Sequence, residues 1–483
     1  MIDSMTSVRT YYISLMVGGV AGGLSVSFPS FWFLALFSLL PLFLFLKQES
    51  QTKRHVFFGG WVFGSALMGT TYYWLFNTLP IDWLGFENST VGFLIVLFFW
   101  STLSVCIGAT VGFFALIGER VLRTGPLGFP LVALVWVLFE YARMWVSAII
   151  MYGPGSILGA HTSSGFLGYA LTESELLHLS VFGGVYTLSL AVAVANILFF
   201  NFFSQNTKAR IVGLIGVTIF LTASVFPIKG EYEAEPPLSI ALAHTDFKAN
   251  IHTSAEEYAL QSSELKKELQ RIAQQGHAVD VVVLPEDVRL LSRLRQEGVS
   301  VSDFLGALFP EQEVLFIDSG RTKTPEGVVN RIYFISSTDG VVGVSDKEFF
   351  LPLGEYMPYV YETLFRVLGQ GEKIDRLKSK RAYTPTGYRS TVSFHGERLG
   401  VLSCSEVLSP SLYKRLVKDE KATVLINLSS LSWFHYGKNP FNQLLSIARV
   451  QAVSNQMWYF QATNAGPSVI IDPYGKIRSP QRE

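Results

Sequence analysis

The chain has 483 residues and no net charge, and its 16% of charged residues falls well below the roughly 25% usual for soluble domains, while hydrophobic residues reach 49% and aromatics 14%. This length exceeds one ordinary domain, and the balanced charge gives no basic surface for nucleic acid. Two cysteines, Cys106 and Cys404, exclude a disulfide framework, and no Cys/His cluster has metal-ligand spacing, so neither metal nor cofactor is expected.

The charge deficit is concentrated in the first half. About 17–25 mostly apolar residues cross a bilayer as a helix, and by that measure spans are predicted near 11–28, 31–47, 56–79, 91–117, 127–150, 181–203 and 210–228. The first two are short and are separated by 25–30 with Pro29, the pattern of a tight helical hairpin. No cleavage site follows the first apolar run, which reads as a first span doubling as the targeting signal. Cys106, in an apolar run, reads as a small buried hydrophobe.

Arg9, Lys47, Lys53, Arg54, Arg120, Arg123, Lys208 and Arg210 fall before the first span or in every second connection; 25–30, 80–90 and 151–180 have no Lys or Arg. Basic loops mark the cytoplasmic side. Seven crossings then place 229–483 outside, in the periplasm of a double-membrane bacterium. In the fifth span, Glu140 and Arg143 lie one helical turn apart and are expected to pair, since ionisable groups at membrane depth are costly alone. The connection 151–180, rich in Gly and Ser with His161, Glu173, Glu175 and His178, has the length of a functional loop.

From 229 onward, short β-branched runs alternate with amphipathic segments. Strands are predicted at 238–243, 279–284, 313–318, 331–336, 341–345, 391–394, 399–403, 423–428, 458–462 and 469–471, with a helix over 254–275. This alternation indicates a layered α/β or α+β domain. Two domains are therefore expected, a helical bundle at 1–228 and a water-facing domain at 229–483.

Three predicted strands lead to reactive groups. Val281-Val282-Val283-Leu284-Pro285 delivers Glu286, 341–345 leads to Lys347 and then Leu351-Pro352-Leu353-Gly354-Glu355-Tyr356, and 399–403 delivers Cys404, with Glu406 two residues on. A thiol needs a base or a nearby positive charge to become a nucleophile. Glu can take its proton, and Lys can favour the thiolate and stabilise an oxyanion. Singly, each is more readily a rim or core residue; the ordered set is what points to catalysis.

This order of motifs resembles the nitrilase, or carbon-nitrogen hydrolase, superfamily, and with the upstream spans it resembles the apolipoprotein N-acyltransferases of bacterial envelopes. Further matches are Gly60, Gly64, Trp74, Glu140, Arg143, the Gly184-Val185-Tyr186 run and Asn196, then Asn427, Trp433-Phe434, Ala448-Arg449, Asn464 and Asp472-Pro473-Tyr474-Gly475. The resemblance implies a multi-span α-helical membrane bundle carrying an α-β-β-α sandwich. It implies Cys404 as nucleophile, Glu286 as general base and Lys347 as oxyanion stabiliser, with Glu355, Glu406, Tyr356 and Trp433 as substrate-binding candidates. The implied reaction takes an acyl chain from a membrane phospholipid, through a thioester, to the N-terminal amine of an apolipoprotein. Departures from the family pattern are Ser405 for Tyr, Leu431 for Asp, His244 for Gln and Ser454 for Glu. Family members usually close with a further membrane helix; none precedes Glu483, which leaves open a shortened sequence or a member without that anchor. A membrane-tethered amidase acting on small soluble amides is the alternative activity, and a scaffold with a vestigial triad the non-enzymatic one. Gly354, Gly369 and Gly437 mark candidate mobile segments.

Overall fold

The computed structural model describes residues 2–48, 51–81, 88–125, 127–204, 206–225, 235–248, 254–275, 278–310, 312–381 and 383–478. The boundary expected at 228/229 falls outside these residues.

Helices occupy all seven places where spans are predicted. Among the described residues, five helical stretches are long and apolar enough to cross a membrane: Pro29–Leu46, Ser89–Leu122, Gly128–Ile150, Val185–Phe202 and Thr207–Val225. The helices Ile2–Ser27 and Lys53–Thr71 stand beside them. Pro29–Leu46 is not one regular helix but a 3-10 turn at Pro29–Leu34 followed by short helices at Ala35–Ser38 and Leu40–Leu46. Asn196, fully buried in the facing helix, bridges the break. Its Oδ1 accepts from Leu39 N at 2.9 Å and Leu40 N at 3.1 Å, and its Nδ2 donates to Ala35 O at 2.8 Å. Broken backbone at membrane depth must find such partners.

Small residues set close helix pairs. A Cβ on Gly64 would stand 2.3 Å from Gly108 O. Lys53–Thr71 and Ser89–Leu122 can therefore approach backbone to backbone, as apolar helices do where no water drives their association.

Glu140 and Arg143 do not form the expected ion pair. Both are buried, but Glu140 Oε1 accepts from Leu167 N at 2.9 Å. Arg143 donates to Ser164 O at 3.3 Å, its guanidinium over the Phe166 ring. Each reaches across to the 151–180 connection, whose free backbone groups are better placed than a partner on the same helix. Cys106 also departs from expectation: it is exposed on its helix. In a helix apolar all round, periodicity cannot separate the packed face from the outer one.

The second half is built on two sheets. Strands β1 (Ile240–Leu242), β2 (Val281–Val283), β3 (Leu315–Thr324), β4 (Gly327–Ser336) and β5 (Gly340–Asp346) form one in that order. Strands β6 (Val392–Phe394), β7 (Glu397–Ser403), β8 (Val424–Ser430), β9 (Tyr459–Asn464), β10 (Val469–Ile471) and β11 (Ile477–Arg478) form the other, also in chain order. β1 to β3 are parallel, as are β7 to β9, and the flanking strands are antiparallel. Two-residue alternation sends Val281, Val283, Leu315 and Ile317 inward against Val401, Val424, Ile426 and Phe460. The opposite face of the first sheet, including Val282 and Phe316, is covered by Leu265, Leu269 and Ile272 of the helix Ala255–Gln274.

The outer face of the second sheet meets the helix Lys438–Asn455, and that helix meets the bundle. Leu425, Tyr459, Ile447 and Val450 share one buried core with Leu67, Leu167 and Leu171. Gln443 Nε2 donates to Thr71 O at 2.9 Å and to Ser27 Oγ at 3.1 Å. The 151–180 connection completes the junction. A Cβ on Gly153 would stand 2.5 Å from Met357 O, and one on Gly155, with φ of +92°, 2.5 Å from Tyr383 O, so glycine is what permits this approach. Tyr359 N donates to Tyr152 O at 2.9 Å and Ser163 N to Leu408 O at 3.1 Å.

Candidate active site

Strand ends near the junction of the two halves deliver the reactive groups, two from parallel strands and one from an antiparallel one. Glu286 follows β2, Lys347 follows β5 and Cys404 follows β7. All three line one cavity of about 630 Å³. On one side it is walled by bundle side chains, including Val96, Phe99, Leu103 and Ile107; on another it reaches the sandwich.

Lys347 is 1% exposed and holds two carboxylates, Glu286 Oε1 at 2.9 Å and Glu355 Oε1 at 2.8 Å. Glu355 returns to the lysine through a tight turn. Leu353 has a φ of +69°, Leu353 N donates to Tyr356 O at 2.7 Å, and Leu351 N donates to Glu355 Oε2 at 2.8 Å. Glu286 Oε1 also accepts from Ser403 Oγ at 2.9 Å and Asn330 Nδ2 at 3.3 Å. Burial works against the Lys347 ammonium, but Glu286 and Glu355 outweigh it and hold its pKa well above the ordinary value. Burial, then the Glu286 charge, pushes the Glu355 carboxyl up despite the lysine.

Cys404 sits on a strained turn, with a φ of +46°. A left-handed non-glycine residue costs on the order of 1–3 kcal/mol and persists only where its surroundings enforce it. Here Cys404 N donates to Asn427 Oδ1 at 3.0 Å. Ser403 and Glu406 cap the following 3-10 turn reciprocally, with Ser403 N donating to Glu406 Oε2 at 2.8 Å. The turn presents the sulfur to the cavity. Burial, then Glu286, pushes the thiol up to about 12 while Lys347 draws it down, so the resting group is a neutral thiol that needs a base. The Ser405 N–H lies in the first turn, where helical amides have no acceptor within the helix, and Lys347 is the neighbouring cation. Together these groups suit nucleophilic attack on a carbonyl with stabilisation of the resulting oxyanion.

A sequence-family model for the carbon-nitrogen hydrolases matches residues 234–481. The chain belongs to the carbon-nitrogen hydrolase family. Residues 18–198, in the bundle, match the apolipoprotein N-acyltransferase N-terminal domain. The chain is similar to the apolipoprotein N-acyltransferase of Pasteurella multocida, at 24% identity over 97% of this chain and 86% of that one. The enzyme of the same name from Geobacter metallireducens is 25% identical over 97% of this chain and 87% of its own. A nitrilase-superfamily protein of Saccharomyces cerevisiae aligns with 51% of this chain and 87% of its own, at 18% identity and a TM-score of 0.36. With these relatives and its apolar helices, the protein is membrane-integral.

The remaining sequence-predicted residues divide. Tyr356 and Trp433 line the cavity with Glu355, and Tyr356 Oη donates to Met151 O at 2.8 Å, tying the site to the bundle. Glu406 does not line it. Fully buried, it accepts from Arg389 Nη2 at 2.6 Å, Glu348 N at 3.0 Å and Ser403 N, so its oxygens are turned away from the cavity and into the protein. Of the departures from the family pattern, Ser405 and Leu431 lie on the cavity wall, whereas His244 lies on a separate surface depression. Asn330, Ser403 and Arg389 were not picked out from the sequence. The only signal for them is a polar residue inside or beside an otherwise apolar strand.

Proposed function

We propose that this protein is an apolipoprotein N-acyltransferase working through an acyl-thioester on Cys404. In the first half-reaction the sulfur attacks an ester carbonyl of a membrane phospholipid. Glu286 takes the thiol proton and returns it to the departing glycerol oxygen, so a lyso-phospholipid leaves. The Ser405 N–H and the Lys347 ammonium hold the oxyanion. In the second, the α-amine of a lipid-modified N-terminal cysteine attacks the thioester, Glu286 carries its proton to the sulfur, and an amide forms. The free thiol is restored, and atoms and charge balance without a cofactor.

The observation that carries this reading is the wall of membrane-helix side chains in the same cavity as Cys404. An acyl chain can lie against Val96, Phe99 and Leu103 while its carbonyl meets the sulfur. An amidase for small soluble amides has no use for such a wall. The basic connections at 47–54, 120–123 and 208–210 lie on the side opposite the catalytic domain in a seven-span reading, which puts that domain on the periplasmic face of a bacterial inner membrane. The test is incubation of the purified protein with phospholipid labelled in its acyl chain. A hydroxylamine-sensitive adduct on Cys404 that passes to a diacylglyceryl-cysteine peptide supports the reading. Label that reaches the peptide without ever residing on Cys404 refutes it.

A further inference from the structure

The long connection 151–180 has no role in the two half-reactions, yet it grips the segment that carries the nucleophile. Cys404 begins a 3-10 turn that runs to Leu408, and Ser409 then caps the helix Pro410–Lys418. Asn427 and Glu406 hold the start of this turn. Its far end is held from the bundle side. Leu408 O accepts from Ser163 N at 3.1 Å and from Ser163 Oγ at 2.7 Å, and the buried Tyr169 Oη stands 2.6 Å from the same serine hydroxyl.

Two residues earlier, half-buried His161 reaches the next position of the turn. Its Nδ1 lies 2.8 Å from Ser409 Oγ and 3.1 Å from Ser411 Oγ. Ser409 is fully buried, and its hydroxyl also accepts from Leu412 N at 3.3 Å as the cap of the following helix. The imidazole meets the Phe349 ring, the centroids 5.5 Å apart. Phe349 lies two residues past Lys347, and its carbonyl accepts from Ser405 Oγ at 2.6 Å. A Cβ on Gly159 would stand 2.5 Å from His161 Nε2, so glycine makes room for the ring to fold over its own connection. One side chain of the membrane half thus touches both the segment that carries Cys404 and the segment that carries Lys347. Burial lowers the His161 pKa against the pull of Glu348, with Arg415 adding to burial and Glu406 to Glu348. The ring is therefore neutral at neutral pH and makes these bonds without adding a charge beside the turn.

We infer that His161 is a positioning residue for acyl transfer, holding the far end of the nucleophile turn to the membrane half through Ser409 and Ser411. This rests on the acyl-transfer reading and adds to it a residue that acts through the turn and not on the substrate. The left-handed backbone of Cys404 persists only where its surroundings enforce it, and the bonds at Ser409 are part of that enforcement. A reacting atom displaced by about 1 Å costs on the order of 10²-fold in rate. The acyl chain is held by the bundle and the sulfur by the sandwich, so a tie between the two keeps carbonyl and sulfur in register.

The experiment measures single-turnover acylation of Cys404 by acyl-labelled phospholipid over a range of donor concentrations in detergent micelles, with thermal unfolding alongside. His161→Ala is expected to slow the saturating rate about tenfold to a hundredfold and to leave the half-saturating concentration within about twofold, because donor binding is untouched. His161→Asn, whose Oδ1 can stand near the place of Nδ1 and accept from the serine hydroxyls, is expected to stay within about threefold of the unsubstituted enzyme. His161→Phe keeps a ring against Phe349 but makes no bond to the serines, and is expected to be as slow as the alanine variant. Should the alanine variant fail to fold, the asparagine and phenylalanine variants carry the same comparison. An asparagine variant as slow as the phenylalanine one, or a phenylalanine variant as fast as the unsubstituted enzyme, overturns the assignment. So does a raised half-saturating concentration at an unchanged saturating rate, which would make His161 a donor-binding group. A lowered unfolding temperature with the saturating rate intact also overturns it, since His161 would then brace the fold alone. Failure of the unsubstituted enzyme to label Cys404 sinks the acyl-transfer reading itself, a result distinct from all of these.

Discussion

Two clusters of carboxylates flank the turn that carries Cys404, one half-buried and one buried, and they are built on different charge arithmetic. Ser403 touches both, through its hydroxyl to Glu286 and its backbone N–H to Glu406. In the first cluster Glu286 and Glu355 share one cation, Lys347, at the cavity. In the second, Glu406 and Glu348 face two, Arg389 and Arg415, away from it. Two acids facing two bases balance in charge, which suits a brace. Two acids on one base leave an excess of one negative charge beside Cys404. In the proposed reaction, chemistry falls to the unbalanced cluster and positioning to the balanced one.

Substitutions at the nucleophile and its cation should break this contrast most severely. Cys404→Ala is expected to lower turnover by more than about 10⁴-fold, because the covalent route vanishes and only binding remains. Lys347→Ala removes an oxyanion partner, worth about 10²–10³-fold in kcat, and leaves two carboxylates without their cation. Steady-state rates on phospholipid and lipopeptide check both, with thermal unfolding measured alongside to separate chemistry from folding.

The balanced cluster should respond in the other currency. Glu406→Gln leaves Arg389 facing Glu348 alone and puts an amide NH2 where one of the two accepting oxygens stood, so the bonds from Arg389, Glu348 N and Ser403 N can no longer all be kept. Removing one partner of a buried pair costs about 3–5 kcal/mol, so a clear drop in unfolding temperature is expected, with activity falling as the Cys404 turn loosens. If Glu406→Gln instead unfolded normally but lost only affinity for lipopeptide, Glu406 would be a substrate-binding group after all, and the division between the clusters would fail.

The same contrast explains what could be read from the sequence. Glu286 and Cys404 stand out in the sequence because each follows closely on a short apolar run that ends a strand. Glu355 and Glu406 look alike on paper, each a few residues beyond a strand-end reactive group. Only the turn geometry separates them: the Leu353 turn swings Glu355 back to Lys347, whereas the 3-10 turn after Cys404 points Glu406 inward. Asn330 and Arg389 act on groups distant in sequence, so a lone polar residue in or beside an apolar strand is all the local pattern shows of them. In the bundle the seven helical places followed from hydropathy. The break at Leu39, the partners of Glu140 and Arg143 and the outward face of Cys106 depend on neighbouring helices, which uniform apolarity does not encode.

The two cysteines give the most delicate test, since one lies beside the unbalanced cluster and the other far from any charge pattern of this kind. With the Cys404 thiol pushed up to about 12, its thiolate fraction below that value grows about tenfold per pH unit. Iodoacetamide alkylation of Cys404, followed by mass spectrometry, should therefore climb steadily from pH 7 to 10 without a plateau. Lys347 is the group that lowers this thiol, so Lys347→Met should slow alkylation further at every pH, not speed it. A plateau near neutrality would mean a preformed thiolate, and Glu286 would then have no proton to take. Cys106→Ala is the quiet control. Exposed on the outer face of its helix, it should change unfolding by no more than about 0.5 kcal/mol and leave the Cys404 pH profile where it was. A shift in that profile would mean that the bundle tunes the thiol through the cavity they share.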